Sequence, residues 1–439
     1  MAALVAVAAL QSFRLFCTVV SRIPPTALMP KAPRVSGILL MFVGILGCDA
    51  LTSFFVAPVA FLSWFAGPPR SSFLITLNWV FYAAQVLGIL ESFSVRDAAV
   101  RSARSFQQSL HKSLQSTGST PRHLETIDHP GVSFQFLLSA IVGWFWVPKD
   151  VEVIADIPYV SSQQIVDFGC TDDKSRAWLT LDVVRRKKDF WNRPVLVYVH
   201  GGAWAYGDKQ KRIMPTCYHF ASNENWLCKD LQVVRTSSFL TFNLHDMVVD
   251  VKRVIAWAKK NAHVHGGDPS FIAIAGGSAG AHLVSIAALT QNWAEFQPGF
   301  ESADTSVQAC YPIYPPVGHV RTNQFWKSWF MQKIVRISDA EYKQKYGKSV
   351  EDWCDPANLL ALMSVTERRG VTFDTLARVH HVRDFVQDLN QGNAVGVGYL
   401  ELPETHHAFD VAFSPRTQYV NWAAASALNQ VYKLKNAGQ

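Results

Sequence analysis

The stretch "SFIAIAGGSAGAHL", residues 270–283, decides the fold, because an apolar segment runs through glycines into a second apolar segment around one serine. The first segment is typical of a buried strand and the second of a helix. Gly276 and Gly280 stand two residues on either side of Ser278, where a sharp strand-to-helix turn needs backbone without Cβ atoms. Such a turn exposes the serine hydroxyl beside the first helical N–H groups. The pattern predicts a nucleophile at Ser278, although this spacing also arises by chance.

A second glycine motif, "HGGAW" at residues 200–204, follows an apolar stretch that is typical of a central strand. When a serine attacks an ester carbonyl, negative charge develops on oxygen and needs hydrogen-bond donors that are already aimed at it. The predicted donors are the backbone N–H groups of Gly202, Ala203 and Ala279. Gly201 lets the loop fold closely, and we interpret His200 as shaping the loop rather than as a base. The alternative is an ordinary turn at the end of a strand.

Strands and helices alternate from about residue 150 onward, which indicates an α/β fold with a mostly parallel sheet covered on both faces. The predicted strands are 151–159, 177–185, 194–200, 271–275, 307–315 and 397–404, and the predicted helices are 248–261, 279–289 and 379–389.

The N-terminal part of the chain is strongly apolar. Residues 37–66 carry one charge, Asp49, and residues 72–90 carry none. Since about 20 apolar residues cross a bilayer, we predict transmembrane helices here, the alternative being buried helices of a soluble protein. Residues 132–147 are short and rich in aromatic side chains, which is typical of a segment at the membrane interface.

Positive charges flank these apolar segments on their outer sides. They are Arg22, Lys31, Arg34, Arg96, Arg101, Arg104 and Lys112, with Arg70 between the segments. The positive-inside rule then predicts a hairpin in an endomembrane such as the endoplasmic reticulum, with the following domain in the cytoplasm. If residues 37–66 form a re-entrant pair, the domain lies on the other side. Because the charges are dispersed, the net charge of +7 does not indicate nucleic-acid binding.

Four regions follow from these patterns: a hydrophobic membrane region at 1–94, a polar linker at 95–130, an interfacial segment at 131–149 and a catalytic domain at 150–439. The seven cysteines show neither a disulfide framework nor a zinc site, so no metal and no cofactor are expected.

Four segments together resemble the α/β-hydrolase-fold carboxylesterases and lipases of the hormone-sensitive-lipase-like branch, membrane-anchored members among them. They are "VLVYVHGGAWAYGDK", "VDVKRVIAWAKKN", "GGDPSFIAIAGGSAGAHL" and "ELPETHHAFD". The resemblance covers roughly residues 150–430. It implies an eight-stranded sheet, a Ser-Asp-His triad in that chain order, a cap insertion at about 317–355, and small-molecule acyl esters or lipids as substrates. Trp326, Trp329 and Phe330 in that cap either line an acyl pocket or pack the cap.

A serine hydroxyl needs an imidazole that accepts its proton, and the resemblance puts that histidine in a loop after the last strand. The His-Ala-Phe pattern selects His407, with His406 as the alternative. The acid is expected about 30 residues earlier, where "VTFDTLARVHHVRDFV" selects Asp374, with Asp384 and Asp410 as substitutes.

The sequence departs from the family pattern at two places, between Trp226 and His245 and at "MSVTERRGVTF" before Asp374. Both departures suggest a damaged sheet. Two functions therefore stay open: a membrane-anchored serine esterase or lipase, and a catalytically impaired hydrolase fold that binds a ligand or a partner.

Overall fold

The computed structural model describes residues 95–111, 147–161, 179–204, 215–231, 243–318, 324–362, 379–391, 397–401, 409–411 and 414–437. These residues belong to two compact units. The smaller unit contains residues 95–101, 147, 409–411 and 414–422 of the described part, and the larger unit contains the rest.

A six-stranded sheet in the order β1-β2-β4-β3-β5-β6 forms the centre of the larger unit in the described part of the chain. The strands are β1 (Val151–Pro158), β2 (Thr180–Arg186), β3 (Arg193–Val199), β4 (Leu227–Leu231), β5 (Gly267–Gly277) and β6 (Ala309–Ile313). β1 and β2 pair antiparallel, as do β2 and β4, whereas the pairs β4–β3, β3–β5 and β5–β6 are parallel. The prediction of a mostly parallel sheet is confirmed.

The helices are α1 (residues 95–111), α2 (Pro215–Ser222), α3 (Leu244–Asn261), α4 (Ala279–Leu289), α5 (Gln324–Phe330), α6 (Asp339–Tyr346), α7 (Val350–Trp353), α8 (Pro356–Leu362), α9 (Val379–Gln391) and α10 (Pro415–Ala437). The chain also forms a π-helical turn at Met331–Val335 and 3₁₀ turns at Ala262–His265, Ala294–Phe296 and Phe409–Val411.

Helices cover both faces of the sheet. Successive side chains of β5 point to opposite faces, so both faces of this strand are packed against helices. Ile272 and Ile274 pack into one core with the apolar side chains of α3 and α4. Phe271 points to the other face, where its ring lies 5.8 Å from Trp226 and 4.9 Å from Tyr432 of α10.

Helix α3 begins at a well-defined cap. The Asn243 side chain accepts a hydrogen bond from the Asp246 N–H at 3.0 Å, and the Asp246 carboxylate accepts one from the Asn243 N–H at 3.2 Å. This reciprocal capping box satisfies two N–H groups that the first turn of a helix leaves without partners. The helix therefore starts at Leu244, four residues before the predicted start at residue 248.

β4 lies inside the first segment that departs from the family pattern. It pairs with β2 through Leu181↔Leu231 and with β3 through Val199↔Leu231. The expectation of a damaged sheet is therefore wrong for residues 227–231, because the altered sequence still supplies a strand between β2 and β3. Residues 232–242, and the second altered segment at 363–373, lie outside the described residues.

Residues 397–401, which belong to the predicted strand 397–404, do not form a strand and are held by two helices. Ser102 Oγ of α1 donates to the Tyr399 carbonyl at 2.7 Å, and the Val397 N–H donates to Ser109 Oγ at 3.4 Å. On α9, Arg383 Nε donates to the Glu401 carboxylate at 2.9 Å. Part of the predicted polar linker is thus a helix that anchors this segment.

Helices α5 to α8 include most of the predicted cap at about 317–355, and we call these four helices the cap. Two buried groups link them to the rest of the larger unit. The Asp355 carboxylate accepts hydrogen bonds from the Gly318 N–H at 2.9 Å and the Ala357 N–H at 3.0 Å. The His245 ring of α3 lies 5.5 Å from Tyr346 and 5.9 Å from Trp353. Burial lowers the pKa of His245, so its neutral form packs among these aromatic rings.

None of the helices within the described ranges combines the length and hydropathy needed to span a membrane. The predicted spans at 37–66 and 72–90, and most of the predicted interfacial segment, lie outside those ranges.

Candidate active site

Ser278 is the single residue between β5, which ends at Gly277, and α4, which begins at Ala279. Its backbone has φ 53° and ψ −120°, a conformation that costs a non-glycine residue about 1–3 kcal/mol. The Ser278 N–H donates to the Ile313 carbonyl at 3.0 Å, and the Ser278 carbonyl accepts from the His282 N–H at 3.1 Å. The strained serine is thus fixed from both sides, with a partly exposed side chain.

The two glycines of the Gly-x-Ser-x-Gly pattern are required by close backbone contacts. A Cβ atom on Gly280 would lie 2.1 Å from the Val199 carbonyl oxygen, and one on Gly276 would lie 2.7 Å from the same oxygen. Neither contact is compatible with van der Waals radii. Strand β3 passes directly beneath the start of α4, so a residue with a Cβ atom does not fit at either position. This is why the Gly-x-Ser-x-Gly spacing predicts the turn.

The glycine loop at residues 200–204 lies against the Ser278 turn, because β3 and β5 are parallel neighbours that end together. A Cβ atom on Gly201 would lie 2.9 Å from the Gly277 carbonyl oxygen and 3.1 Å from Ser278 Cβ. The structure therefore brings the two predicted glycine motifs together. The close approach of the loop to Gly277 and Ser278 also explains why residue 201 is a glycine, as the sequence predicts.

The same loop is strained over consecutive residues. Gly202 has φ 142°, and the non-glycine residues Ala203 and Trp204 have φ 50° and 57°. Left-handed backbone costs each of these non-glycine residues about 1–2 kcal/mol. His200 supports the loop, since its Nδ1–H donates to the Gly201 carbonyl at 2.7 Å. This bond fits the shaping role predicted for His200.

Sequence reasoning missed the contacts that hold the far end of this loop. The Trp204 indole N–H donates to His282 Nδ1 at 3.3 Å, and the Trp204 ring lies 5.0 Å from the Phe330 ring. His282 Nε2 donates to the Cys354 carbonyl at 2.9 Å. The sequence held two signals for these contacts: a histidine one helical turn after Ser278, and a tryptophan at the end of the HGGAW motif. Phe330 therefore packs against both Trp204 and His282.

The arrangement can stabilise negative charge beside Ser278. The Ala279 N–H opens helix α4, where the first N–H groups have no partner within the helix and the helix dipole is positive. The Gly202 and Ala203 backbone lies on the adjoining loop. A serine oxygen in this position can attack a carbonyl whose oxygen these groups then bind.

The predicted base and acid lie elsewhere in the chain. Asp374, His406 and His407 are outside the described residues. Of the substitute acids, Asp384 is exposed on α9 and Asp410 is buried in the 3₁₀ turn Phe409–Val411 of the smaller unit. In the part of the chain that the structure describes, no histidine, cysteine, aspartate and glutamate side chains cluster in a way that could hold a metal ion.

Together, the strand order and the serine turn define an α/β-hydrolase fold. Esterase B from Lactobacillus rhamnosis shares this fold, with a TM-score of 0.53 and 15% identity over 76% of this chain and 98% of that chain. A family model described as BD-FAE matches residues 181–347, which contain both glycine motifs.

Curated relatives include the probable carboxylic ester hydrolase LipM and the esterase LipQ, both from Mycobacterium tuberculosis. LipM is 36% identical over 57% of this chain, and LipQ is 34% identical over 56%. The chain covers 59% of the length of each relative. This chain is therefore similar to carboxylic ester hydrolases and esterases with an α/β-hydrolase fold, and it spans less than two thirds of the length of these relatives.

Proposed function

We propose that this protein is a membrane-anchored serine esterase that hydrolyses lipophilic carboxylic esters. The observation that carries the proposal is the strained Ser278 between β5 and α4, with the glycine loop packed against it. The esterase and carboxylic ester hydrolase names of the relatives support the same reaction class.

In the proposed first step, Ser278 Oγ attacks the ester carbonyl carbon while His407 accepts the hydroxyl proton. The carbonyl oxygen becomes an oxyanion, which the N–H groups of Gly202, Ala203 and Ala279 bind. The tetrahedral intermediate then collapses, the bond to the alcohol oxygen breaks, and the imidazolium of His407 protonates the leaving alcohol. Asp374 orients His407 and stabilises its charged form.

In the second step, water attacks the acyl-enzyme carbonyl with His407 as the base, and the carboxylic acid leaves as Ser278 is regenerated. The chemistry uses no metal or cofactor. Its electrostatic part depends on backbone N–H groups that are held in place before the substrate arrives.

The substrate preference is proposed from the sequence. The apolar segments at 37–66 and 72–90 place the enzyme at a bilayer in this proposal, where lipophilic esters concentrate. We therefore expect medium- or long-chain acyl esters, including lipids, rather than charged short-chain ones. The domain is proposed to face the cytoplasm, in an endomembrane such as the endoplasmic reticulum.

Hydrolysis of p-nitrophenyl butyrate and p-nitrophenyl decanoate by the purified full chain tests the reaction. We expect turnover of both esters, a higher kcat/KM for decanoate, and loss of turnover in Ser278→Ala. Ser285→Ala is the matched control, since Ser285 lies on the same helix and its hydroxyl only donates to the Ala281 carbonyl. A folded wild-type chain without turnover would instead favour the catalytically impaired, ligand-binding alternative.

Carbonate extraction of membranes tests the anchor. We expect the chain to stay in the membrane pellet and its C-terminus to be digested by protease added outside sealed microsomes. Glycosylation of an engineered Asn-x-Thr site near residue 436 would place the domain in the lumen and contradict the proposed orientation.

A further inference from the structure

We propose that His282 is a positioning residue for the oxyanion loop, acting through the indole of Trp204. This role rests on the proposed esterase function. His282 is buried and lies outside the proposed triad. In this proposal it keeps the Ala203 N–H aimed at the reacting oxygen.

His282 is completely buried and lies one helical turn after Ser278 on α4. Its Nε2 lies 2.9 Å from the Cys354 carbonyl oxygen, which can only accept, so Nε2 carries the hydrogen. In the neutral ring Nδ1 is then the acceptor, and the Trp204 indole N–H donates to it at 3.3 Å. This tautomer of the His282 ring therefore connects three elements: the glycine loop, helix α4 and the cap.

The loop needs such an anchor because its backbone does not favour the observed conformation. Ala203 and Trp204 both have left-handed φ values, and Ala203 is exposed, so its own side chain contributes little to holding it. Trp204, in contrast, is only 8% exposed and lies between the His282 ring at 5.2 Å and the Phe330 ring at 5.0 Å. Fixing the Trp204 side chain holds the backbone on the C-terminal side of Ala203. It thereby limits rotation of the Gly202–Ala203 peptide unit, which carries the Ala203 N–H.

The geometry also links the oxyanion loop to the cap. Phe330 and Cys354 belong to cap segments, and both contact the Trp204–His282 pair. A change in the cap can therefore alter the position of the loop through His282 and Trp204.

Three substitutions in the full chain separate a positioning role from simple packing. Trp204→Phe removes the indole N–H and keeps an aromatic ring. His282→Gln keeps a donor near the position of Nε2 and loses the acceptor for Trp204. His282→Asn places an oxygen near the position of Nδ1 and keeps that acceptor, while it loses the donor to Cys354.

We expect Trp204→Phe and His282→Gln each to lower kcat for p-nitrophenyl butyrate by about 10-fold with little change in KM, since a misaimed oxyanion donor weakens transition-state binding. The double variant should lose no more than either single variant, because both remove the same bond. His282→Asn should retain most of the wild-type kcat even though its thermal stability falls.

The proposal is overturned if Trp204→Phe and His282→Gln keep the wild-type kcat. It is also overturned if kcat in the three variants follows the loss of thermal stability, with His282→Asn as impaired as His282→Gln, because that result indicates packing alone. A wild-type chain without turnover would overturn the proposed function and this role with it.

Discussion

The Ser278 turn and the glycine loop at residues 200–204 lie side by side at the carboxyl edge of the sheet, yet they are held in different ways. Close backbone contacts require the glycines of the Ser278 turn, as the 2.1 Å approach at Gly280 illustrates. The far end of the glycine loop is held by side chains distant in sequence, His282 and Phe330. Backbone of the neighbouring strand therefore constrains the turn, whereas side chains from α4 and the cap hold the far end of the loop.

The largest effect is expected from the residues that complete the proposed triad. His407→Ala and Asp374→Asn should each lower kcat by about 10⁴-fold, because both leave Ser278 without a correctly oriented base. His406→Ala is the matched control and should stay near the wild-type rate. Steady-state hydrolysis of p-nitrophenyl butyrate measures all three variants. If Asp374→Asn is nearly as active as the wild type, Asp384→Asn and Asp410→Asn identify the acid that replaces it.

The next largest effect should fall on the stability of the Ser278 turn. In Gly280→Ala, the new Cβ meets the Val199 carbonyl, so we expect a loss of about 3 kcal/mol in the free energy of unfolding. Gly299→Ala is the matched control, because nothing lies within 4 Å of a Cβ there and only the φ of 79° is unfavourable. Denaturant unfolding compares the two variants. Equal losses would show that close packing does not explain the turn.

Gly201→Ala sharpens the comparison because it changes the loop at its contact with the turn. The new Cβ lies 3.1 Å from Ser278 Cβ and 2.9 Å from the Gly277 carbonyl oxygen, so the loop must shift. We expect kcat to fall by about 10-fold while stability falls less than in Gly280→Ala, since the loop end is more adjustable than the helix start. A stability loss as large as that of Gly280→Ala would contradict this distinction.

The smallest effect is expected away from both regions, at the buried Lys252 of α3, which donates to the Thr290 carbonyl. Burial lowers the pKa of Lys252 from 10.5 to about 7, while Glu295 opposes the shift. Between that pH and the ordinary lysine pKa of about 10.4, the unfolded chain binds a proton that the folded chain lacks, so stability rises with pH. Below that window, the cost of burying the charge remains in full.

Thermal unfolding of the wild type and of Lys252→Met at pH about 7 to 9 measures this contribution. We expect the increase in Tm with pH to be smaller in the variant. Lys260→Met, at an exposed position of the same helix, is the control and should leave the slope unchanged. An unchanged slope in Lys252→Met would show that Lys252 stays protonated in the folded chain throughout this range.

Much of the fold could be predicted from sequence because its main signals are local. The apolar run before Ser278 and the glycines around it indicated β5, the turn and α4 within one short stretch. β4 was harder, since its altered sequence suggested damage, and only pairing with β2 and β3 on both sides makes it a strand. Strand formation there depends on neighbours that no local pattern shows.

The residues of the candidate site also divide into those that sequence patterns predicted and those that they did not. The spacing predicted Ser278 and Gly201, because each is constrained by backbone within a few residues or on the adjacent strand. The bond from Trp204 to His282 joins residues whose proximity follows only from the packing of the loop on α4. A histidine in an apolar helix is ambiguous in sequence, and its role becomes readable from its two hydrogen-bond partners.

Labelling with a fluorophosphonate probe tests the central claim most directly, since the probe reacts with a serine only when it is activated and beside an oxyanion site. The full chain should take up one probe molecule, and peptide mass spectrometry should locate it on Ser278. Ser278→Ala should abolish the labelling, while Ser285→Ala should leave it intact. Labelling that persists in Ser278→Ala, or a folded wild-type chain that takes up no probe, would contradict the account.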